Sequence, residues 1–246
     1  MSPGLSFRSL AGDGEPISGA RFDDEDLAEL AFADLDVSDC EFHSCDFRAT
    51  SLRTSRFVRC RFVHSSFLDG RFADVRFSGG EDGSHCVWAF SRLDDAEFKD
   101  CNLNLNVLTK CSAHRATFDD CAATGLKFDA AVHRRVRGRR LSGGVTFRRC
   151  KLIYSVFDER NLEESCFDGS DLRDARFAGL NLARASFRGC NLANVDFGGS
   201  ALDDAVLCEA VFDRFSLQDL RSFHGMTVSA DSQATMLASV GIRVGT

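Results

Sequence analysis

Residues 170–194 decide the fold. They read Ser170-Asp171-Leu172-Arg173-Asp174, Ala175-Arg176-Phe177-Ala178-Gly179, Leu180-Asn181-Leu182-Ala183-Arg184, Ala185-Ser186-Phe187-Arg188-Gly189 and Cys190-Asn191-Leu192-Ala193-Asn194. Each block centres on Leu or Phe. A small residue stands two places before the centre, Leu180 excepted, and polar residues or Gly and Ala fill the rest. Steps of five extend the pattern from Phe22 to Phe77, from Trp88 to Phe128 and from Phe147 to Leu217. Phe or Leu fills 32 of these 36 centres, and a small residue precedes 28 of them by two, so the chain is an internal repeat.

A period of five suits neither an α-helix, at 3.6 residues per turn, nor a straight strand, at 2. It suits about three residues of strand followed by a corner. Small-in, polar-out, large-in is strand alternation, and the next two residues turn the chain. Repeated, this winds the backbone into a solenoid with a dry interior. The composition agrees: 23 Phe stand against one Tyr and one Trp. An inward tyrosine would bury a hydroxyl without a partner, at about 1–3 kcal/mol.

The unit resembles the pentapeptide-repeat family, whose consensus is Ala-Asp/Asn-Leu-x-x; Ser170-Asp171-Leu172-Arg173-Asp174 and Cys190-Asn191-Leu192-Ala193-Asn194 match it directly. The resemblance implies an all-β fold, a right-handed quadrilateral β-helix with four repeats per coil. The 36 repeats then make nine coils and a rod of roughly 43 Å at ~4.8 Å per coil. Residues 20 apart stack. Phe and Leu alternate strictly from Phe147 to Leu202, so Phe147, Phe167 and Phe187 should form one ladder and Phe157, Phe177 and Phe197 the opposite one.

Three parts are expected: an N-terminal cap at 1–20, the β-helix at 21–220, and a C-terminal cap at 221–246. Two insertions interrupt the coil. The first, near 78–85, is Gly-rich and reads as a flexible exposed loop. The second, 129–146, holds Arg134, Arg135, Arg137, Arg139 and Arg140. Loops this long in a compact fold are commonly functional or disordered. Beyond Leu217, Ser229 reads as an N-cap, Ala230–Val240 as a short α-helix and Gly241 as its stop. Ala234, Leu237 and Val240 would line one apolar stripe, and Ile242 and Val244 alternate like a strand.

No apolar run approaches the roughly 18 residues that span a bilayer, and the N-terminus lacks the basic-then-apolar pattern of an export signal. A cytoplasmic protein without a membrane partner is expected. Nine of the 11 Cys (40, 45, 60, 86, 101, 111, 121, 150 and 190) hold the small inward place, where a free thiol packs as a small hydrophobe. Cys40/Cys60 and Cys101/Cys121 should lie on adjacent coils. There is no Cys-x-x-Cys pair, no metal-like His spacing, no Walker loop, no dinucleotide fingerprint and no Gly-x-Ser-x-Gly. The reading is a protein that is not an enzyme and carries no cofactor or metal.

The net charge is −7. The densest acidic run is Asp23, Asp24, Glu25, Asp26, Glu29, Asp34, Asp36, Asp39 and Glu41, with no Lys or Arg inside it. The second residue after the centre is acidic in 15 repeats and basic in 6. Regularly spaced carboxylates could occupy a basic DNA-binding saddle; on charge alone, a solvated surface that keeps the solenoid soluble explains them as well. Two insertions in a long rod, and a tail closing with Gly241-Ile242-Arg243-Val244, resemble the quinolone-resistance (Qnr) group of topoisomerase-poison resistance proteins. That resemblance implies a DNA mimic that dimerises through the C-terminal element, engages DNA gyrase or topoisomerase IV and relieves poisoning by an antibiotic such as a fluoroquinolone. The loops, including Glu81 and Asp82, would touch the enzyme. The basic second loop departs from the pattern, but direct nucleic-acid binding is not expected. The alternative is a scaffolding module with an unrelated partner.

Overall fold

The computed structural model describes residues 6–79, 83–136, 139–141, 143–213 and 215–243. The chain coils as a four-sided solenoid of parallel ladders. On the second side Phe22 lies beside Phe42, then Phe62, Trp88, Leu108, Phe128 and Phe157, all in register. On the fourth, Phe32, Leu52, Phe72, Phe98, Phe118 and Phe147 do the same. Further bridges, among them Asn161 with Asn181, Cys166 with Ser186, Asp171 with Asn191 and Ala201 with Ser222, carry the stack through residues 161–222.

The coil is longer than the repeat count suggested. Ile17 already pairs with Val37, and Val206 and Leu207 pair with Thr227 and Val228. The first side therefore runs Ile17, Val37, Phe57, Phe77, Leu103, Ala123, Leu152, Leu172, Leu192 and Phe212, and the rod has about ten coils rather than nine. A hidden repeat lies at Val132, fully buried on the third side, where Ala113 N–H bonds Ala131 O at 2.9 Å. One residue is missing from the corner before it, which shifts the register between Leu108 and Cys111 and hides the repeat from a strict count of five.

The interior is dominated by Phe. Phe147, Phe167 and Phe187 stack at 5.7 and 5.0 Å; Phe157, Phe177 and Phe197 stack opposite them at 4.5 and 5.6 Å. The two ladders meet edge to face, at 5.2 Å between Phe167 and Phe177. Both geometries suit the ring quadrupole. Trp88 is the exception among the aromatics, because its N–H needs an acceptor. Asn106 supplies it from the inward small column at 3.0 Å, while its own amide donates to Phe77 O at 2.9 Å.

That inward column is a donor position. Ser155 Oγ reaches Ala123 O at 2.9 Å and Thr50 Oγ1 reaches Leu27 O at 2.8 Å, each on the preceding coil. Cys thiols do the same more weakly: Cys101 to Phe72 O at 3.4 Å, Cys150 to Phe118 O at 3.3 Å. Ser, Thr and Cys therefore interchange there with Ala. All 11 cysteines are free thiols, and the nine in this column are buried. Burial pushes the Cys45 and Cys111 thiols up to about 11 and Cys190 to about 12, which suppresses the reactive thiolate. Only Cys166 and Cys208 are half-exposed. Titration of the native protein with a disulfide reagent should label these two first and at most, with all 11 reacting after denaturation; rapid labelling of more than two in the native state would contradict the packing.

The corners impose a conformation. The second residue after most centres sits in the left-handed region: φ is +54° at Asp24, +62° at Glu29, +58° at Asp34 and +55° at Asp39, and so on along the rod, with Gly79, Ala130, Glu159 and Asp219 as exceptions. This costs an ordinary L-residue roughly 1–2 kcal/mol and suits Gly, Asn and Asp best. Backbone geometry thus accounts for much of the aspartate at that position.

Both ends are closed. Helix α1 (Phe7–Asp13) starts at Ser6, whose Oγ accepts from Ser9 N–H at 3.2 Å, and drives Phe7 edge-on into Phe22, Phe32 and Phe42 at 5.1–5.7 Å. At the other end a 3-10 turn (Ala230–Ser232) leads into α2 (Gln233–Ser239). Ser229 does not cap it: its Oγ accepts Glu209 N–H at 2.6 Å instead. Gly241, at φ +81°, ends the helix; its N–H bonds Ala238 O at 3.0 Å and Ile242 N–H bonds Leu237 O at 2.9 Å.

Candidate partner surface

The first insertion leaves the rod in coil 4, at the corner between the first and second sides. Its base is fixed by Gly79 N–H to Ser84 O at 2.7 Å and Cys86 N–H to Phe77 O at 3.1 Å. Glu81 and Asp82 lie outside the described residues, as do Arg137 and Val244.

The second insertion leaves in coil 6 from the diagonally opposite corner. It is a β-hairpin rather than an open loop: Arg134–Val136 runs antiparallel to Arg139–Leu141, with Arg134 opposite Leu141 and Arg135 opposite Arg140. Its feet are tightly seated. Buried His114 holds Val132 O at 3.1 Å through Nδ1, and its backbone N–H bonds Asp94 Oδ1 at 3.0 Å. On the return strand, a Cβ at Gly144 would stand 2.5 Å from Ser165 Cα and N, so only glycine fits. Arg134, Arg135, Arg139 and Arg140 lie on the two strands of this hairpin.

The acidic run is divided by the coil. Residues 20 apart meet, and arginines from the next coil reach back: Arg56 to Asp36 at 2.8 Å, Arg59 to Asp39 at 2.5 Å, Arg61 to Glu41 at 3.6 Å. Arg21 takes Asp23 at 2.8 Å. Hydrogen bonds from Arg21 and Arg59 hold the Asp23 and Asp39 carboxyls below the ordinary value of 3.8, and Arg149 does the same for Asp120. Glu25 points inward from the first coil and accepts Phe7 N–H at 3.1 Å, tying down α1. Asp24, Asp26, Glu29 and Asp34 keep their charge outside any ion pair among the described residues; Asp34 accepts from Thr54 Oγ1 at 2.6 Å.

Counting by twenty along the sequence gives no single unbroken acidic stripe, and in the structure the remaining carboxylates gather in two interrupted rows. Two corners frame the fourth side over coils 1–5. Glu29, Asp69 and Asp95 mark one, broken by Ala49 in coil 2; Asp34, Asp74, Asp100 and Asp120 mark the other, broken by Thr54 in coil 2. Arg53, Arg71 and Lys99 stand on the strands between them. Asp95 pairs with Arg115 and Asp120 with Arg149, where both rows end.

At the C-terminal end the expected stripe is only partly turned outward. Ala234 and Ile242 are exposed, Leu237 and Val240 are half-buried, and Met236 is the residue that anchors α2 on the core. An open cleft of about 720 Å³ separates α2 from the last coils, floored by Phe197, Phe215 and Leu220.

Residues 143–207 match the family model for pentapeptide repeats, in 8 overlapping copies. No curated protein matches the sequence. Among solved structures, full-length QnrB1, described as a plasmid-mediated fluoroquinolone resistance protein, superposes with a TM-score of 0.63 at 18% identity, over 90% of this chain and 100% of that one. A trypsin-treated point variant of QnrB1 gives 0.61 at 16% identity, over 94% and 100%. HetL from the cyanobacterium Nostoc sp. strain PCC 7120, a pentapeptide repeat protein involved in heterocyst differentiation regulation, gives 0.42 at 11% identity, over 92% and 95%. The five-residue step continues through the coils on both sides of the matched segment: residues 143–207 are pentapeptide repeats, and the rod as a whole has the fold of QnrB1.

Proposed function

We propose that this protein binds a type II topoisomerase, DNA gyrase or topoisomerase IV, without acting as an enzyme itself, and protects it from a poison. The observation that supports this reading is the end-to-end likeness in fold to a fluoroquinolone resistance protein, at 90% coverage of this chain and 100% of the other. The surface supplies a means. The fourth side is flanked by two rows of carboxylates a side's width apart, each interrupted in coil 2 by Ala49 or Thr54, with Arg53, Arg71 and Lys99 on the face between them; these two corners are what the rod offers in place of a duplex on a basic saddle. The acidic run 23–41 contributes Glu29 and Asp34 to them; most of the rest is spent on arginine or on α1. The site of action is the cytoplasm, where topoisomerase meets DNA.

The test is a supercoiling assay with purified gyrase and a cleavage-stabilising drug. Added protein should restore supercoiling in proportion to its ratio to gyrase, and binding should weaken steeply between about 50 and 200 mM salt, as displacement of counterions requires. No rescue at any ratio, with enzymes from several bacteria, would sink the reading.

The same reading makes the protein a homodimer through α2 and the tail, with Leu237, Val240 and Ile242 meeting their copies. Leu237→Arg should halve the mass seen by light scattering while leaving the far-UV spectrum unchanged. An unchanged mass would count against the dimer.

A further inference from the structure

A left-handed corner suits Gly, Asn or Asp. Leu105 nonetheless occupies one, at φ +60°, and is 42% exposed. It is unfavourable twice, for its backbone and for the apolar surface it shows to water. Phe90 and Tyr154 share this oddity; of the three, Leu105 is the one that stands beneath an insertion.

The first side stacks Phe77, Leu103 and Ala123 on successive coils. The corner residues that follow them, Gly79, Leu105 and Gly125, therefore share one column. At Gly79 the chain leaves coil 4 as the first insertion, and the corner below it, in coil 5, is Leu105, whose N–H bonds Thr124 O at 2.8 Å. The leucine side chain bridges the insertion and the coil below. A Cβ on Gly83, in the returning arm of the insertion, would stand 3.6 Å from its Cδ1; a Cβ on Gly125, in coil 6, would stand 2.8 Å from its Cδ2. Gly125 has no room for a side chain while Leu105 is there, so the two positions are adapted to each other.

The other contacts of the insertion close it on itself. Ser78 and His85 form an antiparallel bridge, Gly79 N–H bonds Ser84 O at 2.7 Å, and His85 Nδ1 lies 3.2 Å from Gly83 O. Leu105 is what ties Gly83 to the next coil. We propose that Leu105 is a positioning residue for the first insertion, holding it against coil 5 in one orientation before a partner arrives. A loop fixed in advance loses less conformational freedom on binding, and a strained corner is retained where such a role over-rides its cost. The role in partner action rests on the topoisomerase reading; the seat itself does not.

Site-resolved hydrogen exchange on the full chain tests the seat. Leu105→Gly gives the corner a residue it prefers and removes the side chain, while Leu105→Met keeps an apolar one. The Gly79 amide should exchange at least tenfold faster in the Gly variant and at the native rate in the Met variant, with coils 5 and 6 protected in both. A native rate in the Gly variant overturns the proposal. So does loss of protection throughout coils 5 and 6, which would make Leu105 part of the core. The gyrase assay tests what the seat is for. The Gly variant should need at least tenfold more protein for the same rescue, and the Met variant no more than the native chain. Full rescue by a Gly variant whose loop has loosened overturns the positioning role. Should the native chain rescue nothing, the topoisomerase reading falls, and the exchange rates still decide the seat.

Discussion

Phe177→Arg will unfold the middle of the rod. Phe177 is fully buried in coil 8, stacked on Phe157 and Phe197 and edge-on to Phe167 and Phe187 at 5.2 and 5.7 Å. A guanidinium there has no carboxylate to pair with, and its desolvation outweighs anything the coil can offer in return. Even the mild change, Phe177→Ala, should cost about 3–5 kcal/mol, because the neighbouring rings are held in two ladders and cannot collapse into the space. Each coil touches only the ones before and after it, so the loss should be local at first and then spread. Hydrogen exchange followed by peptide should show coils 7–9 losing protection while α1 and coils 1–3 keep theirs. Uniform loss across the chain, or none, would contradict nearest-neighbour stacking.

The second large effect concerns the hairpin. Replacing 134–142 by a short glycine link should leave the coil intact and abolish relief of gyrase poisoning, at least tenfold in the protein concentration required. The cut must spare Val132, which closes the third side of coil 6, and Gly143-Gly144, which pack against His114 and Ser165. A wider deletion of 131–143 would remove a wall of the rod and confound the result. Full rescue by the trimmed protein would show that the arginines take no part.

The core was readable because a single rule governs it. Once the five-residue step is seen, the ladders of Phe147 and Phe157 follow from counting by twenty, and the structure has them. Exceptions to the step were not readable. Val132 was hidden by one missing residue. Asn106 breaks the small-residue column only because Trp88 needs an acceptor, a pairing across 18 residues that no local pattern signals. Glu25 looked like surface charge and is a tether for α1. The acidic run looked unopposed because its arginines lie on the next coil, at Arg56, Arg59 and Arg61; the stacking distance predicts such pairs, but only when charges are read down the coil and not along the chain. The hairpin arginines were legible as a cluster, whereas their mounting on His114 and Gly144 was not.

The left-handed corners have a further consequence. A winding rule that asks for Asp, Asn or Gly at every fifth residue loads the exterior with negative charge whether or not any partner selects for it. A lineage of such rods begins life halfway to imitating a polyanion, and needs only to withhold arginine from one flank to finish the disguise.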